Sequence, residues 1–579
     1  MAVDLGAIEA QLNESFPGAV VERDGEWLVL DPDQLPQVTT HLRDELGFDY
    51  LTHMSASDYA DRLEVVYNLY STRPDQLGSG IPFKVRLPDR ADPRVPSLTS
   101  IWHGANFLER EVWDMFGVRF EGHPNLKRIL LWEGFEGYPL RKDWYEPYYE
   151  EEKKPFKSRW PSPENPRPRL AEDRVRWRAN LQYPQGFDPD PELWQPLPEV
   201  DVQPGETIGT NGLRTDQILL NIGPQHPSTH GVFRMVIGLQ GETVTSVYPV
   251  VGHLHRNHEK IGERNLWTGN IPYTDRLDYI SPMYNGFGYV VAVEKLMGQE
   301  VAERAEYLRV IMGELTRVIN HILAIGFLFN ELGAMMTPML YAFTEREHVL
   351  DLFEEASGAR MMVNYYRFGG VARDVSDEWL KRCRQVVDRL ARKIDEFEFL
   401  LTENEIFISR AVGVSAMTWQ EMANYGVSGP VLRSAGIPYD IRKVEPYSIY
   451  DSFDFDVPTY ETGDLYDRYR QRIAETRESV KILNQALDRI PVQGSIQAGK
   501  KPWNPKVPEG EAYARVEHPK GEMGFYLVSD GGTNPYRYHV RSPCFVNLGA
   551  LEAMSLGHLL ADCIVILGSI DITMGEVDR

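Results

Sequence analysis

The sequence predicts a multidomain α+β chain: a small α/β domain over residues 1–144, an extended connector over 145–215, and a helical-bundle domain with flanking β segments over 216–579. Three observations predict it. The 579 residues exceed what one hydrophobic core organises. Between Tyr145 and Thr215 proline interrupts almost every candidate element, as in an extended segment. Beyond residue 280, apolar residues recur at helical spacing over several long stretches.

In the first domain WLVL from Trp27 and LEVVYNLY from Leu63 read as strands, and Gln37 to Leu46 reads as a short helix entered through Pro36. The stretch from Phe107 to Trp144 is dense in aromatic residues and arginine. The connector's tryptophans and tyrosines are expected to lie on a surface they cover, in a neighbouring subunit or in the second domain. That domain opens with the β-like segments ILLNIG, FRMVIGL and ETVTSVYPVVG.

Helices follow. Asn285–Met297 reads as one amphipathic helix. Ala305–Asn330 is a longer one, with Leu308, Ile311, Leu315, Val318, Ile322 and Ile325 on one stripe. Thr344 with Glu347 looks like a capping box opening the next helix. Apolar stripes run from Cys383 to Phe397 and from Ile473 to Ile490, enough for a bundle core. GFYLVSDGGTNPYRYHVRSPCFVNL returns to strand and turn, and the final SIDITMGEVDR is expected to be ordered and buried.

The formal charge of -24 disfavours nucleic acid as a partner. Three cysteines, none within four residues of another, exclude a four-cysteine cluster site, make a disulfide scaffold improbable and suit a reducing compartment. The first residues lack the basic start and apolar core of a secretory signal. No uninterrupted apolar run of about 18 residues occurs, and runs such as CIVILG from Cys563 are strand-sized. Membrane association is therefore expected to be peripheral, through partner subunits.

Candidate chemistry concentrates in three places. NIGPQHPSTHGVFR carries His226 and His230 in a loop stiffened by Pro224 and Pro227, with Gly223 and Gly231 allowing close backbone approach. An imidazole titrating near ~6.5 can donate and recover a proton at neutral pH; satisfying backbone groups in a tight loop is the plainer alternative. Asp275, Arg276, Asp278 and Tyr279 crowd the approach to a helix, where Asp275 suits helix entry, Arg276 offers a fixed charge and Tyr279 a hydrogen-bond donor. Glu314, Arg317 and His321 share one face of an otherwise apolar helix that Glu331 closes, which favours buried pairing. HLHRNHEKIGER, with His258, fits an exposed contact surface equally well as a site.

These residues carry a resemblance. EREVWDMFGVRFEGHPNLKRIL and GYPLRKDW resemble the 30 kDa-type subunit of respiratory complex I. GPQHPSTHGVFR, LHR…EK, PYTDRLDY, RSAGIPYDIRK, FDFDVP, ESVKILNQALDRI, VSDGGTNPYR and MGEVDR resemble its 49 kDa-type subunit. The resemblance implies a fused C/D-type subunit of bacterial NADH-quinone oxidoreductase, a proton-pumping complex, peripheral on the cytoplasmic side of the cell inner membrane.

It also implies a second domain similar to the nickel-iron hydrogenase large subunit, but without its metal: DITMGE has no cysteine where the second ligand pair would be, and no first pair is present. The vacated cavity would hold the quinone head group, against a small iron-sulfur subunit carrying the terminal [4Fe-4S] cluster. NADH and FMN would serve elsewhere in the complex, and a membrane-arm subunit would meet the quinone channel. Under this resemblance His230 and Tyr279 bind the quinone carbonyls, with His226 and Asp278 alongside. Arg276 and His321 stand beside the partner's cluster, and Glu331 stands where the family's aspartate partners His230. His258 is an imidazole that family members commonly lack. The alternatives are a hydrogenase-like subunit of a related membrane complex fed by ferredoxin or another donor, and a purely structural scaffold.

Overall fold

The computed structural model describes residues 4–135, 137–144, 217–225, 231–334, 337–499 and 504–579. The expected connector, His226 and His230 lie outside them. The first part is a five-stranded sheet of β1 (Val20–Asp24), β2 (Trp27–Leu30), β3 (Tyr50–Asp58), β4 (Leu63–Tyr70) and β5 (Gly80–Leu87), in the order β1-β2-β5-β4-β3. Its pairs are antiparallel except β2 with β5. A parallel pair needs a crossover, and the intervening chain supplies it with helix α2 (Leu35–Asp44). Helix α1 (Leu5–Ser15) precedes the sheet, capped by the Asp4 carboxylate. Helix α3 (Ala105–Phe116) packs on β3 and ends at Gly117 in the left-handed conformation.

The second part opens with a three-stranded antiparallel sheet of β6 (Gln217–Ile222), β7 (Arg234–Gln240) and β8 (Thr243–Val250). Helices α4 (His258–Arg264), α5 (Trp267–Thr274) and α6 (Pro282–Met297) follow. Then come α7 (Glu303–Glu331), α8 (Thr337–Ser357), α9 (Asp377–Leu401) and α10 (Leu465–Arg489). A second antiparallel sheet, β9 (Gly510–His518), β10 (Gly521–Ser529) and β11 (Arg537–Arg541), precedes α11 (Leu560–Ile570) and the short helix Met574–Val577. Helix α7 is the axis of the bundle, packed against α6, α8, α10 and α11, while α6 lies on β9 and β10. That approach is close: a Cβ on Gly288 would come 2.9 Å from the Phe525 ring.

The two parts share one hydrophobic core. Arg537 and Arg541 of β11 donate to the Ala56 and Thr52 carbonyls of β3 at 2.8 and 3.0 Å, and Arg579 pairs with Glu111 of α3 at 2.5 Å. Val577, Asp578 and Arg579 are all buried, in line with the expectation for that segment.

The structure corrects several local expectations. Thr344 lies inside α8, its hydroxyl bonded to the Leu340 carbonyl one turn back, so the apparent capping box is helix interior. CIVILG is part of α11; a short apolar run cannot by itself distinguish strand from buried helix. The helix over Asn285–Met297 begins at Pro282 and is buried on nearly every side, where an amphipathic helix was expected. Glu314, Arg317 and His321 break up the apolar run of α7. By length and composition α7 could nonetheless cross a bilayer, but 94% of its most apolar window is buried inside this fold.

Candidate functional site

Three segments far apart in sequence meet at one place. Gly231 closes the histidine loop, and a Cβ added there would lie 2.8 Å from Cβ of Met574. Gly575 faces the backbone of Arg276 and Leu277, its own added Cβ falling 3.0 Å from the Leu277 carbonyl oxygen. Small residues therefore let the chain at Gly231, the Arg276–Leu277 backbone and the terminal helix close on one another. Tyr279 stands at the rim, 44% exposed. Arg276 is exposed too, its guanidinium donating to the Pro272 carbonyl.

Asp278 points the other way, into the interior. Its carboxylate accepts from the Ile280 amide at 2.9 Å and the Thr573 hydroxyl at 3.1 Å, and pairs with Lys520 at 2.9 Å. Burial pushes this carboxyl up, but Lys520 and His518 bring it below its usual range. His518, 3.7 Å from Asp278, is driven down to about 3 by burial and is neutral at physiological pH. Glu576 accepts from the Ser542 hydroxyl at 2.8 Å and lies 3.2 Å from the Cys544 thiol; burial and Asp278 push it up to about 7. Asp571 receives a hydrogen bond from Asn320 of α7 at 2.8 Å and lies 4.0 Å from Lys520, linking this cluster to the bundle axis.

The polar face of α7 is buried and paired. Glu314 accepts from the Tyr284 and Tyr450 hydroxyls at 2.8 and 2.7 Å and pairs with Arg442 at 3.2 Å. Burial would raise its carboxyl; Arg317 and Arg442 hold it down to about 2. Arg317 donates to Tyr284 at 2.7 Å. His321 contacts Glu475 at 3.2 Å, and Arg433 bridges Glu475 and Glu517 at 2.7 and 2.8 Å. Burial lowers the His321 pKa. The structure thus sets Arg276, Asp278 and Tyr279 at one junction and encloses His321 fully in the bundle.

Glu331 ends α7 with its carboxylate against α11: an added Cβ on Gly568 would fall 1.6 Å from Oε2. Asp275 lies at the C-terminal end of α5, not at helix entry, and accepts from the Asn364 amide at 2.5 Å. His258 is 1% exposed, which rules out the exposed contact surface as one of its two readings. It lies 3.3 Å from the Tyr538 hydroxyl, and burial lowers it to about 3, so the ring is uncharged at neutral pH. Lys520, Thr573, Glu475 and Arg433 were not singled out in the sequence. The ionic partners of Lys520, Glu475 and Arg433 lie tens to hundreds of residues away, as does Thr573's partner Asp278.

Among the described residues, two trios of buried donors, Asp278 with His518 and Glu576, and Glu111 with Glu259 and His539, bring ligand atoms together. Each already holds a cation of the protein's own: Lys520 in the first, Arg537 and Arg579 in the second. That fits poorly with a metal ion. The three cysteines are buried and free.

The family model described as "Respiratory-chain NADH dehydrogenase, 49 Kd subunit" matches residues 331–579, and that of the 30 Kd subunit matches residues 28–150. The NADH-quinone oxidoreductase C/D subunit of Nitrosospira multiformis is 38% identical over 563 residues, 93% of this chain and 86% of that one. The chain belongs to the family of fused C/D subunits of NADH-quinone oxidoreductase. The C/D subunit of Gluconacetobacter diazotrophicus is 40% identical over 526 residues, 87% and 82% of the two chains. A D-type subunit of Roseiflexus sp. is 53% identical over 373 residues, 63% of this chain and all of that one. Membership makes this fused C/D chain one part of a multisubunit NADH:quinone oxidoreductase, and its oxidoreductase role is exercised within that complex.

Proposed function

We propose that this subunit forms the quinone head-group site of the complex at the junction of the histidine loop, the Arg276–Tyr279 segment and the terminal helix. The reading rests on one observation: Gly231 lies against Met574 and Gly575 against the Arg276–Leu277 backbone, two residues before the exposed Tyr279. Reducing a quinone takes two electrons and two protons. In this reading the electrons arrive from a [4Fe-4S] cluster held by a small iron-sulfur partner, since the three buried cysteines cannot hold one.

His230 and Tyr279 then bind the two carbonyls and supply protons as negative charge develops on the ring oxygens. His226 lines the same loop, and Glu331, seated against Gly568, is the acid that partners His230. Arg276, exposed beside the site, faces the iron-sulfur partner. His321 acts at a distance, through the packed network of Glu475 and Arg433. Residues 1–144 and 216–579 are the 30 kDa-type and 49 kDa-type units, joined by the connector 145–215, and the latter unit is built like a hydrogenase large subunit. The complex stands on the cytoplasmic side of the inner membrane, with NADH oxidised at FMN in other peripheral-arm subunits and a membrane-arm subunit at the quinone channel.

Tyr279→Phe keeps the ring and removes the donor. In the assembled complex it should slow NADH-driven quinone reduction by about 10²–10⁴, leaving electron transfer from NADH to a soluble artificial acceptor intact. Wild-type quinone reduction in both Tyr279→Phe and His230→Gln would reject the reading.

A further inference from the structure

Tyr279 sits on a short bend between α5 and α6 whose two ends are tied into the interior by side chains. Ahead of it, Asp278 accepts from the Ile280 amide at 2.9 Å and from the Thr573 hydroxyl at 3.1 Å. Two residues beyond it, Ser281 stands at the N-cap of α6, where a serine hydroxyl ordinarily accepts from an amide of the first turn. Here it makes no capping bond. It turns to α7 instead and donates to Oδ1 of Asn320 at 2.9 Å. The same side chain donates from Nδ2 to Oδ2 of Asp571 at 2.8 Å. A carboxylate only accepts, so Nδ2 must face Asp571 and Oδ1 must face Ser281. Asp571 closes α11 with φ at 61°, a conformation few non-glycine residues adopt. Two departures from local preference, an N-cap serine that does not cap and an aspartate with positive φ, thus end on one fully buried amide.

We propose that Asn320 is a positioning residue for Tyr279: it pins the bend that carries the phenol to the terminal segment, and so sets where the hydroxyl meets the quinone. The inference rests on the quinone-site reading. The ring of contacts is closed, because Asp278 holds Thr573, Ser281 holds Asn320, and Asn320 holds Asp571, two residues before Thr573. Both ends of the bend are therefore fixed to one stretch of chain, which runs on to Met574 and Gly575 at the junction.

Lys520 already stands between the two carboxylates, 2.9 Å from Asp278 and 4.0 Å from Asp571. The link from α7 then needs a group that accepts at one end, donates at the other and adds no charge of its own. An amide does this; a carboxylate or an alkyl group does not.

The test is NADH-driven quinone reduction by the assembled complex, with electron transfer from NADH to a soluble artificial acceptor as the control. Asn320→Leu keeps similar volume and removes both bonds. Misplacing a reacting group by about 1 Å costs about a hundredfold, so quinone reduction should fall by about that factor, mostly in kcat, with the control rate unchanged. In a Tyr279→Phe background, where no phenol is left to place, the same change should cost less than about threefold. Asn320→Asp sets two carboxylates against each other and should do as much damage as Asn320→Leu. Adding Asp571→Asn restores that bond with donor and acceptor exchanged, and should recover about tenfold. If Asn320→Leu fails to assemble, Ser281→Ala removes one bond without uncapping α6, and should lower quinone reduction about tenfold. Losses that multiply with Tyr279→Phe, no recovery in the exchanged pair, an equal loss in the control reaction, or wild-type quinone reduction in both Asn320→Leu and Ser281→Ala would each overturn the inference. Tyr279→Phe with wild-type activity would instead defeat the quinone-site reading beneath it.

Discussion

Arg433→Met exposes how much of the bundle depends on paired charge. Arg433 sits fully buried, with Nε and Nη2 on Glu475 at 2.7 and 3.1 Å and Nη1 on Glu517 and the Tyr439 carbonyl, both at 2.8 Å. Methionine fills similar volume and removes all four bonds. Glu517 already stands above its usual pKa because burial outweighs Arg433, so it takes up a proton at little further cost. The penalty falls on Glu475, left with His321 and a 2.6 Å bond from Gln471.

Breaking one partner out of a buried pair costs about 3–5 kcal/mol. The sign with pH follows from Glu475. In the wild type burial raises its pKa, but Arg433 and His321 hold it well below the carboxylate range. Its stabilisation is present above the unfolded value of about 4.3 and lost only as pH falls through the depressed folded value. In the variant burial wins, the folded value rises above the unfolded one, and stability is lost as pH rises between them. Denaturant unfolding at pH 7.5 and pH 5 should show the full loss at the higher pH and a smaller one at the lower, and adding Glu475→Gln should recover part of it. A loss below about 1 kcal/mol, or one equal at both pH values, would refute the reasoning.

Two further outcomes follow from single contacts. Glu109 of α3, bonded to the Ser97 hydroxyl at 2.7 Å and the Leu98 amide at 2.6 Å, is raised by burial to about 8. The stability of its protonated form is complete below the unfolded value and is lost as pH rises to about 8, at about 1.4 kcal/mol per unit in between. Glu109→Gln should therefore gain on wild type in unfolding measurements from pH 5 to pH 8, and a constant gap would count against this. Gly568→Ala must displace the Glu331 carboxylate, so it should lower NADH-driven quinone reduction about tenfold and combine with Glu331→Gln less than additively. An activity loss in Glu331→Gln alone would separate that carboxylate's position from its role.

Periodicity made the bundle legible. The stripes on Ala305–Asn330, Cys383–Phe397 and Ile473–Ile490 correspond to α7, α9 and α10: in α9 one-sided burial writes the 3.6-residue repeat, and in α7 and α10 buried, paired polar residues such as Glu314, Arg317 and Glu475 interrupt the apolar positions. It failed where burial is complete: α11 and α6 are apolar on nearly all sides, so CIVILG looked like a strand and α6 looked amphipathic. Thr344 misled because a capping-box pattern inside a helix leaves the same letters as one at its start. The rim of the junction, Arg276 and Tyr279, was visible as motif residues. Lys520, Thr573 and Glu475 were not, because a buried ion pair such as Asp278 with Lys520 joins residues more than 240 positions apart. His258 shows the converse: its surroundings of mixed charge suggested surface, while the ring is packed beside Tyr273 and Tyr538.

The central claim is tested most directly by labelling the assembled complex with a photoreactive quinone carrying its reactive group on the ring, followed by peptide mapping of this subunit. The account predicts label confined to the histidine loop between Asn221 and Arg234, the Thr274–Ile280 segment and the terminal stretch from Asp571, competed away by native quinone. Competable label elsewhere on this subunit, or none on it while another subunit is labelled, would contradict it.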